Sequence, residues 1–234
     1  MCTVSIVPLP DGCRLVVNRD ESRRRGIALP PAIVARQGVR AVMPRDPDSG
    51  GTWVAANEFG LVFALLNVSE DGVQSARTRS RGEIIPSLID LSTADAVVKS
   101  IPLIDDGMFR PWRLVVADRD AVLELRTGGA SRRHALDRPL MFTSSGLGDH
   151  LVEGPRRALF DAVMSTAVDA VGAQDLFHVH RWPSRLHLSV EMERADARTV
   201  SRTAIEVREG GIEMIYTALA EDGAMAPSVV RLGR

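Results

Sequence analysis

Lysine is nearly missing from this 234-residue chain: Lys99 is the only one, and every other basic residue is arginine. That excludes a P-loop lysine and leaves little scope for Schiff-base chemistry. Asparagine is almost as scarce, confined to Asn18, Asn57 and Asn67, each at an expected strand end. Two cysteines, one of them at position 2, make no disulfide framework and suit a reducing compartment. No apolar run resembles a signal peptide or reaches the ~18 residues of a membrane span, so a soluble, cytoplasmic protein with no membrane span is expected. With a formal net charge of -1, nothing offers the basic footprint that nucleic acid requires. His178, Val179 and His180 would put two imidazoles on one strand face, with His150 and His187 as possible company. No ligand spacing recurs among them, however, so neither a metal nor any other cofactor is expected. Gly146-Leu147-Gly148 lacks the third glycine of a dinucleotide fingerprint, and Ser144-Ser145 lacks a nucleophile elbow. The short clusters Arg23-Arg24-Arg25 and Arg132-Arg133 sit near acids and read as solvated surface.

What the chain does contain is 45% hydrophobic and 25% charged residues with no linker-like break, which suits a single domain over 1–234. An alternating strand, Thr3-Val4-Ser5-Ile6-Val7, precedes turn material at Leu9-Pro10-Asp11-Gly12 and a second β-prone run at Arg14-Leu15-Val16-Val17. A four-residue loop would pair Pro8 with Cys13 and set Cys2 against Arg19. A two-residue loop would pair Pro10 with Cys13 and set Cys2 against Glu21. Residues 22–49 read as mostly irregular and Pro-rich, with Val34 and Val42 as short strand elements. A second hairpin is expected at 52–57 and 61–67, its later strand apolar on both faces as in a central strand. Helices are expected at 82–91 and 92–100, a hairpin at 113–125, a strand at 140–143 and a long helix at 155–171. Further strands are expected at 186–192, 203–208 and 212–217. Consecutive hairpins interrupted by helices predict an α+β fold: a four-layer αββα sandwich of two antiparallel sheets.

Either hairpin register folds the tetrad Asn18-Arg19-Asp20-Glu21 back onto Cys2. With Met1 removed, one cluster would then hold a thiol, a free α-amine, a guanidinium and carboxylates. The amine, titrating at about 7.7–8.0, suits the removal of a thiol proton. Arg19 would lower the thiol pKa, Asp20 would hold and orient the ammonium, and Asn67 at the end of the buried strand is the best-placed oxyanion donor. Trp53, beside the Gly50-Gly51 pair, is a candidate pocket wall, and Asn18 a candidate substrate contact. Cys13 is assigned no role.

Met1-Cys2, Asn18-Arg19-Asp20-Glu21, Gly50-Gly51-Thr52-Trp53, Leu65-Leu66-Asn67 and Ser80-Arg81-Gly82-Glu83 occur in one order over the first ninety residues. Together they resemble the NRDE-motif family, also called the transport and Golgi organisation 2 family. The resemblance implies an N-terminal-nucleophile hydrolase fold with Cys2 as nucleophile, Arg19 and Asp20 beside it, and Asn67 as oxyanion donor. Two later segments depart from the family pattern. Ser145 stands where an asparagine is expected, and Val200 replaces an arginine that Arg202, two residues along the strand, would restore to the same face. Both Ser145 and Arg202 are therefore candidate substrate-binding residues.

The expected function is a cysteine amidohydrolase cleaving a non-peptide C–N amide, its partner a small-molecule amide or a hydrophobic ligand. The alternative is a non-catalytic binding or trafficking protein on the same fold, which the resemblance links to haem or lipid handling and secretory-pathway organisation. Substrate identity and oligomeric state are not legible at this level.

Overall fold

The computed structural model describes residues 2–68, 79–221 and 223–233. Met1, whose removal the sequence reading invokes, lies outside the described residues. The opening hairpin joins β1 (Cys2–Leu9) to β2 (Gly12–Ser22), and a second joins β3 (Leu29–Arg36) to β4 (Val39–Arg45). Then come β5 (Val54–Asn57), β6 (Val62–Asn67), α1 (Ile84–Leu88) and α2 (Ala94–Ser100). Four strands follow: β7 (Trp112–Ala117), β8 (Ala121–Arg126), β9 (Ser131–Ala135) and β10 (Leu140–Thr143). The rest is α3 (Asp149–Ser165), α4 (Ala170–His178), β11 (Ala197–Arg208), β12 (Gly211–Ala220), β13 (Gly223–Ala224) and β14 (Ser228–Gly233).

Among the described residues the strands form two antiparallel sheets. The first runs β10-β1-β2-β11-β12-β13, with β14 also paired to β12; the second runs β3 to β9 in chain order. Between them lies an apolar core, Val4, Ile6, Leu15 and Val17 meeting Val54, Ala56, Val62 and Ala64. The other faces carry the helices. Phe63, Leu65, Leu114 and Val116 pack under Ile84, Ile85 and Leu88 of α1 and Val97 of α2. Helices α3 and α4 lie on β1, β2 and β10. The layers are thus α, β, β, α, and β6 is buried on both faces as a central strand must be.

Several boundaries differ from expectation for identifiable reasons. The stretch expected to be irregular contains the hairpin β3–β4, turned by Gln37 and Gly38, both at positive φ (50° and 81°), as a two-residue hairpin turn requires. Its outer strand is largely exposed, so it shows no apolar alternation. Helix α3 begins at Asp149, not Pro155: Gly148, at φ 114°, turns the chain, and the Asp149 carboxylate accepts the Ser145 N–H at 2.8 Å. A break then separates α4 from α3. Residues 186–192 are not a strand but contain a short 3-10 turn at Leu186–Leu188, and His178 ends a helix. The two-imidazole strand face therefore does not exist.

Candidate active site

Of the two possible hairpin registers, the chain takes the one that sets Cys2 opposite Arg19 and Pro8 opposite Cys13. Across the strand from Arg19, Ser144 follows β10 and grips the same residue. The Cys2 N–H donates to the Ser144 hydroxyl at 3.2 Å, and the Ser144 N–H donates to the Cys2 carbonyl at 2.9 Å. With its backbone fixed on both sides, Cys2 is only 4% exposed, at the floor of a cleft of about 310 Å³. The structure brings Arg19, Asp20, Trp53 and Asn67 to the walls of that cleft with Cys2.

Arg19 is held rather than free. Its guanidinium pairs with Asp46, lies 3.5 Å from Glu21 and stacks 4.1 Å over the Trp53 ring. Asp46 is itself prepared by its turn, since its other oxygen accepts the Asp48 and Ser49 N–H groups at 3.0 and 3.1 Å. Arg25 completes the ion cluster, donating to Asp46 at 2.8 Å. Burial alone would raise the Asp46 pKa, but the Arg25 hydrogen bond and the backbone donors reverse the balance and hold it below the usual carboxylate range. One wall depends on two glycines. Thr52 N–H donates to the Gly82 carbonyl at 3.0 Å, and a Cβ on Gly51 would fall 2.4 Å from the Gly82 carbonyl carbon. The Gly-Gly-Thr-Trp and Ser-Arg-Gly-Glu segments therefore meet as backbone against backbone.

Burial decides the state of the Cys2 thiol, although Arg19 pulls its pKa down as expected. Burial raises the Cys2 thiol pKa, Asp20 and Glu21 add to it, and the opposing pull of Arg19 is outweighed. The resting sulfur is a thiol and needs a base. Asp20, also buried, accepts the Thr199 hydroxyl at 2.6 Å. Burial raises its pKa against the pull of Arg156 and that hydrogen bond. The Asn67 side chain makes no hydrogen bond to a described residue and is part of the cleft's lining.

Three expected substrate contacts lie elsewhere. Asn18 points to the helix layer, donating to the His178 and Val190 carbonyls at 2.8 and 3.0 Å and meeting His178 Nδ1 at 3.0 Å. Strand alternation puts it on the face opposite Arg19. The Ser145 hydroxyl is spent on the Leu147 N–H at 3.1 Å, inside the turn before α3, so its neighbour Ser144 is the residue that reaches Cys2. Arg202 does not take the place of an arginine at 200. A bulge between Thr199 and Ser201 breaks the two-residue parity, leaving Val200 facing Tyr216 and Ala218 and Arg202 facing Glu191 at 3.6 Å. Arg25, read as solvated surface, belongs to the ion cluster instead.

Arg156, which sequence reasoning passed over, fills the space behind the site. Only 1% exposed, it donates to the Thr3 and Thr143 hydroxyls at 2.7 and 2.8 Å and to the Leu188 and Ser189 carbonyls at 3.0 and 2.6 Å. A single arginine on an amphipathic helix carries no local signal that it turns inward.

A family model describing transport and Golgi organisation 2 matches residues 2–169. The chain belongs to the transport and Golgi organisation 2 family. All the described motif blocks fall within that match, whereas β11, which carries Thr199, Val200 and Arg202, follows it. Among solved structures, an N-acylethanolamine-hydrolyzing acid amidase ortholog from Caenorhabditis elegans superposes with a TM-score of 0.56 at 13% identity, over 88% of this chain and 92% of that one. A mutant conjugated bile acid hydrolase from Clostridium perfringens gives 0.55 at 12% identity, over 99% and 92%. At these identities the likeness establishes the fold, which for this member of the transport and Golgi organisation 2 family is the N-terminal-nucleophile hydrolase type. No curated protein matches the chain. Among the described residues no helix is long and apolar enough to cross a membrane.

Proposed function

We propose that the protein is a cysteine amidohydrolase acting on a non-peptide C–N amide, with Cys2 as the nucleophile once Met1 is removed. The observation that supports this reading is that Cys2 shares the lining of one cleft with Arg19, Asp20 and Asn67, with Ser144 on its nitrogen. In the proposed reaction the freed Cys2 amine, oriented by Ser144, takes the thiol proton as sulfur attacks the carbonyl carbon. The negative charge developing on the carbonyl oxygen is stabilised by the Asn67 amide and a backbone N–H. Collapse breaks the C–N bond, and the Cys2 ammonium returns the proton to the departing amine. Water then attacks the thioester, with the same amine as base, releasing the acid and restoring the thiol. Arg19, fixed by Asp46 and Trp53, shapes the cleft and moderates the charge on sulfur; Asp20 holds the ammonium.

A second reading, a non-catalytic binding or trafficking protein on the same fold, draws support from the protonated resting thiol and from Val200 in place of an arginine. Intact mass and alkylation separate the two. The hydrolase reading expects Met1 to be absent from the purified protein, iodoacetamide to label Cys2 ahead of Cys13, and an activated acyl amide to leave an acyl adduct on Cys2 that Cys2→Ala abolishes. Retention of Met1 would leave the sulfur without its base and favour the carrier.

A further inference from the structure

We propose that the cleft selects an amphipathic anionic amide, with Arg81 and Arg110 receiving the anionic end and a trough beside Val200 receiving the apolar end. The word amide rests on the hydrolase reading; the polarity of the ligand does not.

The cationic end follows from which arginines are already satisfied. Five line the cleft: Arg19, Arg25, Arg79, Arg81 and Arg110. Arg19 and Arg25 share Asp46, and Arg79 pairs with Glu83 at 2.6 Å. Neither Arg81 nor Arg110 has a carboxylate partner among the described residues. Arg81 is nevertheless positioned, its Nη1 donating to the Pro111 carbonyl at 2.9 Å. Burial and the neighbouring Arg110 pull its pKa down to about 10, so it remains cationic at neutral pH while bearing the cost of that repulsion. An anion between the two guanidinia removes the repulsion and gains charge-assisted hydrogen bonds.

The apolar end is a second cavity of about 280 Å³, which shares Arg19, Glu21 and Arg25 as lining with the cleft. Ala28, Val200, Tyr216, Ala218 and Met225 give it an apolar wall, with Arg23, Arg198 and Glu221 also among its lining. The β11 bulge is what turns Val200 into this trough, and Ile27 at its rim is 81% exposed, a large side chain left in water. An arginine at 200 would have filled the trough with charge; valine makes it a seat for hydrocarbon. Arg19 lines both cavities, and Cys2 lines the cleft beside it.

The test is titration calorimetry on Cys2→Ala protein with two probes, N-dodecanoylglycine and its isosteric neutral amide N-dodecanoylglycinamide. Charge-assisted contacts predict that the carboxylate binds about tenfold more tightly, a margin that shrinks with added salt. Arg81→Gln/Arg110→Gln should equalise the two probes while moving the neutral one by less than about twofold, and exposed Arg110→Glu, which leaves the Pro111 contact intact, should reverse the order. Val200→Asp should weaken the neutral probe by about tenfold or more. Equal binding of the two probes, no binding of either, or a carboxylate preference that survives both arginine variants overturns the proposal. Failure of the hydrolase reading shows separately, as binding of the carboxylate with no release of glycine by the unsubstituted protein.

Discussion

The outer faces of the two sheets are covered by opposite means. On the second sheet, Phe63, Leu114 and Val116 are covered by Ile84, Ile85 and Leu88, and the contact is mainly apolar, with Asn57 donating to the Ile89 and Leu91 carbonyls at 2.9 and 2.8 Å beside it. On the first sheet, α3 and α4 reach β1 and β2 largely through buried polar groups. Arg14 donates to Gln174 at 2.8 Å, Gln174 to the Ser5 hydroxyl at 2.9 Å, and Ser5 meets His178 Nε2 at 2.7 Å, while Arg156 serves four acceptors. Apolar packing is non-directional and tolerates rearrangement, whereas a hydrogen-bond network specifies one geometry and fails when any member is lost. The directional cover sits behind Cys2, Asn18 and Asp20, where position matters; the adaptable cover sits behind the sheet that supplies only walls.

The sharpest way to break this contrast is Arg156→Met. It keeps volume but strands four buried acceptors, so about 3–5 kcal/mol of stability should go, with a changed rate of Cys2 alkylation; urea unfolding and iodoacetamide kinetics read the two effects. On the other face, Leu114→Ala should cost about 3 kcal/mol through its cavity yet leave the Cys2 alkylation rate of the folded protein unchanged. Equal effects of both variants on Cys2 would erase the distinction.

A third expectation uses acid. Burial, then the nearby Arg202, Arg14 and Arg156 charges, hold the His178 pKa well below 6.5, so folded His178 stays neutral where the unfolded chain takes up a proton. Above about pH 6.5 neither state binds that proton and His178 adds no pH dependence. Below it, stability falls with decreasing pH by up to about 1.4 kcal/mol per unit until the folded pKa is reached. His178→Gln should flatten that segment of the stability profile, measured by chemical unfolding between pH 7 and 5. Smallest of all, Ile85→Val under the second sheet should cost about 1 kcal/mol with no pH dependence.

How much of this was legible beforehand follows the same division. Alternation in β1 and β2 announced the hairpin, because the pattern is local, but it left two registers open, of which the chain takes the one that sets Cys2 opposite Arg19. The central strand β6 and the hairpin β7–β8 were readable for the same reason. Of β3 only a short element at Val34 was readable and not its extent, since an exposed edge strand with Pro30-Pro31 has no apolar face to display. Residues 186–192 mimic alternation while forming a turn pinned by Arg156 through the Leu188 and Ser189 carbonyls. At the site, Cys2, Arg19, Asp20, Trp53 and Asn67 converge because hairpin ends bring them together. Asp46, Ser144, Arg156 and Thr199 act across long stretches of chain, and nothing near them in sequence reports their partners. The parity argument for Arg202 failed on a single extra residue in β11.

The seam between Gly51 and Gly82 separates two properties that pockets usually inherit together. Because main chain meets main chain there, this stretch of the wall is positioned by peptide geometry and not by whichever side chains happen to face inward. A methyl group at position 51 would have to displace that main chain, whereas the side chains that greet a ligand can change without disturbing it, so the seam is the least negotiable part of the wall.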